Sequence, residues 1–509
     1  MEASFAHINA ECSPATSHLK CALIELQALP QQKSWDLPPD QYSNRASSIT
    51  PTNQSFLESI GAWKHLDLRR VQPYDEMQVW DAGNDAAIQF DWKAEAVRYN
   101  APLRTVATMV ENANLTRALL RRLDELGADD CLLSSTSVAS IGNGIDDPEG
   151  LNLSTWPVLS LNTTDTSGAS STRQIAARLL IGADGINSPV RTFAGISTNG
   201  WDYNRHGVVA TLKLEPQPED SPFPSSSPDS SDANSALEDF LSDDDPQSTL
   251  TSQQAKQNIS PTNRATAYQR FLPSLGGPIA ILPLPNNHAS LVWSTTPAIA
   301  STLKSLSASA LTNTINAALR LSQVDIKYML SLPSTSPSNT HESELTWRLQ
   351  HTPHPPPTRA PPTVAAVQPN TAASFPLRLR NATSYISPRI ALAGDAAHTI
   401  HPLAGQGLNL GLADAEALAR CVLGSVGVGA DVGDVMRLEG YAGERYGRAV
   451  EMGGGVDLLN GVYQMGGGGE ESVSGDGVVG GLLGRMRGLG MWVVGNVPGV
   501  KEGIMKRAG

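Results

Sequence analysis

Arg389 to Ala419, RIALAGDAAHTIHPLAGQGLNLGLADAEALA, decides the fold. RIALA is a short apolar strand that delivers Asp395 at its carboxyl end, where open α/β sheets place their ligands. Pro402 then turns the chain into Gly405-Gln406-Gly407, whose missing Cβ atoms let a flat ligand approach the backbone. From Leu408 the periodic Leu and Ala residues predict a helix, so its positive N-terminus points at whatever covers the glycines. His398 and His401 raise the question of a metal, but H-x-x-H without a third ligand nearby is poor zinc chemistry, and no metal is expected.

Upstream, Ala176 to Ile196 repeats the logic in weaker form. ARLLI reads as a strand, Gly182, Asp184 and Gly185 as a tight loop, and a helix opens near Asn187. A carboxylate at such a bend accepts hydrogen bonds from hydroxyls while nearby amides face phosphates. The plain alternative is a glycine turn capped by its own Asp. Lys20 to Leu26 resembles a buried parallel strand. Met77 to Asp81 and Ile88 to Trp92 alternate around a turn and read as a hairpin. Ala113 to Leu126 spaces Leu115, Leu119, Leu120 and Leu123 as a helix, with Asn114 placed to cap it. Val208–Leu214, Ala267–Leu272 and Ala289–Ser294 read as antiparallel strands. The fold class expected is α/β: a parallel region interleaved with an inserted antiparallel sheet.

Composition narrows the function classes. The 509 residues carry 37 basic and 50 acidic side chains, a net charge of −13 that argues against a nucleic-acid binder. Four widely spaced Cys exclude a disulfide scaffold or a zinc ribbon, and no run approaches ~18 apolar residues. Gly and Pro (44 and 35) make roughly a sixth of the chain, against a usual ~12%. Ten of the acidic residues fall between Glu215 and Pro246 with no basic one among them, so the rest of the chain is close to neutral. That tract lacks apolar periodicity and reads as a looped-out disordered insert. Ser331 to Pro376, with five prolines between Pro355 and Pro362, reads as a second insert, a stiff loop.

The two glycine-bearing segments together resemble the aromatic-ring hydroxylase family of flavoprotein monooxygenases, which share the p-hydroxybenzoate hydroxylase fold. Gly182-Ala183-Asp184-Gly185 matches that family's DG motif, and Gly394-Asp395 with HPLAGQGLNLG matches its GD motif. The stretches at 39–63, 70–81, 109–123, 266–285 and 487–505 narrow the resemblance to ubiquinone-biosynthesis hydroxylases of the mitochondrial type. The resemblance implies FAD, with Asp184 and Gly185 near its pyrophosphate. It puts Gly394 and Asp395 on the ribityl chain, and Pro402, Gly405, Gln406, Gly407 and Asn409 along the ring. Arg45, Asn112 (or Asn114) and Glu25 match further FAD contacts, Glu25 on the adenosine ribose. The implied domains are FAD-binding at 1–70, 102–200 and 381–455, and a substrate domain at 71–101 and 201–380, with inserts near 215–262 and 331–376. A helical region follows at 456–509.

The implied activity is hydroxylation of a polyprenylated benzoate or phenol precursor of ubiquinone through a flavin C4a-hydroperoxide, with electrons from NAD(P)H or a ferredoxin. No side chain has a clear acid or base role. The implied setting is the matrix side of the mitochondrial inner membrane, peripherally bound within a multi-subunit biosynthetic complex. Residues 482–507, with five basic residues and one acidic among Leu, Met, Trp and Val, suit an anionic surface or a packed terminal helix pair. One departure stands out. The family opens with a strand and a G-x-G-x-x-G turn, yet no glycine precedes Lys20. Gly427-Val428-Gly429, continuing to Gly433, has the wrong spacing. The expectation is a chain that enters the fold ahead of its second strand, as if a first exon were missing, with no Arg-rich leader and weak FAD binding. Two other readings stay open: a flavin-deficient scaffold, and a sister flavoenzyme such as an epoxidase or halogenase.

Overall fold

A computed structural model describes residues 19–83, 86–92, 105–148, 150–164, 170–216, 265–333, 339–352, 360–401 and 405–464. The first half forms β1 (Leu23–Ile24), α1 (Leu29–Lys33), β2 (Ala46–Ile49), α2 (Pro51–Ser59), β3 (Val71–Tyr74), β4 (Glu76–Asp81), β5 (Ala87–Asp91), β6 (Ala107–Glu111) and α3 (Asn112–Glu125). It continues with β7 (Leu132–Leu133), β8 (Thr136–Asn143), β9 (Pro157–Thr164), β10 (Ser170–Ala176), β11 (Leu180–Gly182), α4 (Pro189–Phe193) and β12 (Thr198–Leu214). Then come β13 (Thr266–Leu272), β14 (Gly277–Leu284), β15 (His288–Thr295), α5 (Pro297–Ser305), α6 (Ala308–Arg320), α7 (Gln323–Ser331) and α8 (Thr340–His351). The last elements are β16 (Val364–Val367), β17 (Ala373–Ala382), β18 (Ile386–Ser387), β19 (Ile390–Leu392), β20 (His398–Thr399), α9 (Gln406–Gly427) and α10 (Val435–Gln464).

The inserted sheet is the largest unit. It has nine strands, in the order β20-β17-β12-β15-β14-β13-β4-β5, with β16 also on β12. The expected hairpin is β4–β5, and its β4 joins the sheet by a parallel pairing to β13 that periodicity alone does not reveal. Alternation along the strands sends Val208, Ala210, Ile279, Ile281, Leu291 and Trp293 to one face. That face is buried under α5 to α8. Thr296, Ser307 and Ser322 start three of these helices by accepting the amides of Ile299, Ala310 and Asp325. These helices were not expected from the sequence. The insert expected at 331–376 needs correction as well: α8, β16 and the start of β17 occupy much of it. β16 pairs with β12, and Leu345 and Val364 join the core, so this segment buries apolar surface that a loop would expose. The acidic tract lies outside the described residues.

The parallel region is in two pieces. β1 pairs in parallel with β7, and β11 in parallel with β19, which also carries β18. The strands expected at Lys20–Leu26 and at ARLLI therefore shrink to Leu23–Ile24 and Leu180–Gly182. Gly182 is required where it stands, because a Cβ there would come within 2.9 Å of Leu392 and Val190. A third sheet, β2-β6-β3, packs with α2, α3 and α9 through Ile49, Leu57, Leu119, Leu123 and Leu412.

Candidate active site

β19 ends at Leu392, and the turn Gly394–Ala396 follows, with Gly394 at φ +57°. Ala393 donates to the Gly182 carbonyl, and Arg191 reaches the Ala396 carbonyl at 2.7 Å, so the two motif-bearing turns lie side by side. Asp395 is exposed at this turn, though protein packed around its carboxyl partly desolvates it and pushes its pKa up, with His398 opposing that shift. Asp184 spends one oxygen on the Val190 amide at 3.1 Å, the capping role that the plain reading assigned, and is otherwise exposed. Gly185, at φ +86°, has open space where a Cβ would sit.

Helix α9 begins behind Gly405, which adopts φ +60° and supplies no side-chain cap. The first amides of a 22-residue helix therefore remain for an anionic or carbonyl-bearing ligand. Gly407 likewise has nothing within 4 Å of a built Cβ, so a flat group can lie against this backbone. Pro402 falls outside the described residues. Gln406 is half-buried at the helix start.

Asn409 does not line that surface. Its amide donates to the Ser48 carbonyl at 2.7 Å and its oxygen accepts from the Thr50 amide and from Asn53 Nδ2. It is buried and docks α9 on β2, a correction to its expected place on the ring. Asn114 needs a second correction. It is inside α3 rather than at its cap, fully buried, and exchanges hydrogen bonds with the Asp67 backbone. Asn112 is the residue at the helix start. Its backbone amide donates to the Arg45 carbonyl and its side chain accepts from Ser47. Arg45 is exposed beside it. Glu25 closes β1 and accepts from the Gln27 amide, on a sheet separate from the other site residues.

The two histidines face different partners. His398 Nε2 lies 2.6 Å from Asp414 Oδ2, and His401 Nε2 lies 3.5 Å from Ser294 Oγ with Tyr203 edge-on at 5.0 Å. Burial pulls the His401 pKa down to about 4, so its imidazole is neutral near pH 7. Because Ser294 looks toward His401, Val292 two residues earlier presents to the same side, together with its register neighbours Val209 and Ala280. All three are half-buried. The sheet side that meets His401 is thus apolar.

Sequence reading missed two buried ion pairs that hold this architecture. Arg70 grips Glu111 through two bonds, at 2.7 and 3.0 Å, between the rings of Trp35 and Tyr42. Arg445 Nε meets Asp414 Oδ1 at 2.7 Å. One signal was available: Leu410, Asp414 and Leu418 fall at helical spacing, a charge inside an apolar stripe. Gly427–Gly429 proves to be the end of α9, and a G-x-G-x-x-G spacing at 475–480 (GDGVVG) lies outside the described residues.

Residues 309–452 match a family model described as an FAD binding domain. The chain is 33% identical over 465 residues to the ubiquinone biosynthesis monooxygenase COQ6, mitochondrial, of Schizosaccharomyces pombe, covering 89% of this chain and 81% of the relative. It is 34% identical over 450 residues to the Xenopus tropicalis protein of the same name, covering 88% and 81%. Among solved structures, p-nitrophenol 4-monooxygenase PnpA from Pseudomonas putida DLL-E4 aligns with a TM-score of 0.58 at 15% identity, over 99% of this chain and 95% of that one. Klebsiella pneumoniae HpxO, complexed with FAD and uric acid, aligns at 0.55 and 14%, over 99% and 95%. These structural likenesses show the fold.

Proposed function

The chain belongs to the family of ubiquinone biosynthesis monooxygenases, FAD-dependent flavoproteins, and on that premise we propose that it hydroxylates the aromatic ring of a polyprenylated benzoate or phenol intermediate. The observation that carries this reading is that the Gly394–Ala396 turn bearing Asp395 lies against α9, whose start is uncapped and whose glycine backbone is open. This wall fits FAD. Asp395 would accept hydrogen bonds from ribityl hydroxyls, and the first amides of α9 would stabilise the electron-rich edge of the ring system. Gly405 and Gly407 let that ring lie on the backbone. Asp184, Gly185, Arg45 and Asn112 would serve its phosphate-bearing part, and Glu25 its adenosine end. When bound, FAD supplies the activation of oxygen and the transfer of one oxygen atom.

The protein's own contribution is placement and exclusion of water. Val209, Ala280 and Val292 offer an apolar wall to the substrate ring and its isoprenoid tail. His401, neutral, is packed between Ser294 and Tyr203. Electrons come from NAD(P)H or a ferredoxin. The setting we assign is peripheral, on the matrix side of the mitochondrial inner membrane within a biosynthetic complex; among the described residues no helix is long and apolar enough to cross a membrane.

One observation favours a second reading, a flavin-poor scaffold. Among the described residues β1–β7 and β11–β19–β18 are separate sheets rather than one continuous parallel sheet. Titrating the purified 509-residue protein with FAD separates the two. The enzyme reading expects a saturable shift of the flavin spectrum at one FAD per chain. No binding with excess FAD would leave the scaffold.

A further inference from the structure

One polar side chain on the inserted sheet is buried among apolar neighbours. Gln269, in β13, is 7% exposed. The next residue, Arg270, donates to the Ala318 carbonyl of α6 at 2.9 Å. β13 thus turns Arg270 toward the helices and Gln269 toward the opposite face. That face is the one on which Ser294 meets His401. Gln269 pairs across its strand with Val79 on one side and Ala280 on the other, and Ala267 and Phe271 flank it along the strand. All four of these neighbours are apolar. Among the described residues no group bonds the Gln269 amide.

The amide is the polar end of an apolar row. Cross-strand pairing continues from Gln269 through Ala280 and Val292 to Val209 and Ala373. At ~4.8 Å per strand these four steps span roughly 19 Å. The far end of the row is open: Ala373 is exposed, beside Phe375 at 41% exposure. Along one flank Met77, Ala267 and Leu282 pack with Tyr42, Tyr74 and Met109. Along the other, Ser294 meets His401, and Tyr203 stands edge-on to that imidazole. A ligand with one polar end and a long apolar remainder matches the order of this row.

We propose that Gln269 is a specificity-determining residue: its Nε2 donates to an oxygen on the aromatic ring of the substrate, a hydroxyl or a carboxylate, and so sets which end of the ligand lies deep on the sheet. A buried amide without a partner is costly, and a ligand oxygen that takes the hydrogen bond removes that cost. Sites for largely apolar ligands use a small number of such groups to fix orientation. Hydroxyl and carboxylate oxygens both accept from an amide N–H. This inference rests on the substrate reading above, with ring and tail against Ala280, Val292 and Val209.

The test is calorimetric titration of the protein, with FAD in excess, using three probes: a geranylated phenol, the matching geranylated benzoate, and geranylbenzene, which lacks any oxygen. Gln269→Leu removes the donor and keeps the bulk. Its dissociation constant is expected to rise about tenfold for an oxygen-bearing probe and to stay within about twofold for geranylbenzene. Whichever of the phenol and the benzoate shows the loss names the oxygen that Gln269 holds. Where Leu packs poorly, Gln269→Met removes the same donor. Unchanged binding of all three probes would overturn the proposal, because the amide then holds only water. An equal loss for all three, geranylbenzene included, would overturn it too, because that is what a purely structural role produces. Wild-type protein that binds none of them removes the substrate reading itself. Wild-type protein that hydroxylates the phenol, beside a Leu variant that treats the probes alike, removes only this inference.

Discussion

Asp395→Ala is expected to weaken FAD binding by about 1–3 kcal/mol, the cost of leaving ligand hydroxyls without their acceptor. That is roughly a 5- to 150-fold rise in the dissociation constant. The side chain is exposed, so circular dichroism and unfolding midpoint should stay at wild-type values. Equilibrium titration with FAD reads the effect. Wild-type affinity in this variant would move the ribityl contact to another residue.

The largest effect on stability is expected at Glu111. It lies fully buried at the end of β6, where it accepts from Arg70 on both oxygens and from the Ser43 amide at 2.6 Å. Arg70 in turn donates to the Gln41 carbonyl at 2.7 Å, so this one pair ties residues 35–45 to the sheet that presents Arg45. Glu111→Leu leaves a guanidinium buried between Trp35 and Tyr42 without its counter-ion, at a cost of about 3–5 kcal/mol. Urea unfolding should show it. The double variant Arg70→Met/Glu111→Leu should recover most of the loss, because two apolar side chains avoid the stranded charge. A double variant as unstable as the single one would contradict the assigned cause.

What the sequence made legible was local. Gly394-Asp395 and Gly405 to Gly407 could be read because a strand end, a glycine and a helix start are adjacent in the chain. The structure keeps them adjacent in space. The hairpin at β4–β5 and helix α3 were readable for the same reason. Asn114 and Asn409 misled because an asparagine near a helix start serves equally as cap, ligand or buried dock. Only Asp67 and Ser48, distant in sequence, decide between them. Helices α5 to α8 hid in a Ser- and Thr-rich composition that resembles a loop, although Thr296, Ser307 and Ser322 were available as caps. His398 looked like half of a metal site until Asp414, sixteen residues on, and Arg445, on another helix, came beside it.

On this reading the chain holds FAD at Asp395 and the start of α9 and uses it to oxygenate a polyprenylated phenol. The most direct measurement supplies the purified protein with excess FAD, a reductant and such a phenol under ¹⁸O₂, and follows the product by mass spectrometry. The account predicts one labelled oxygen on the ring, dependent on FAD and sharply reduced in Asp395→Ala at limiting FAD. Flavin that binds and consumes the reductant, yet leaves the ring unlabelled, would contradict it.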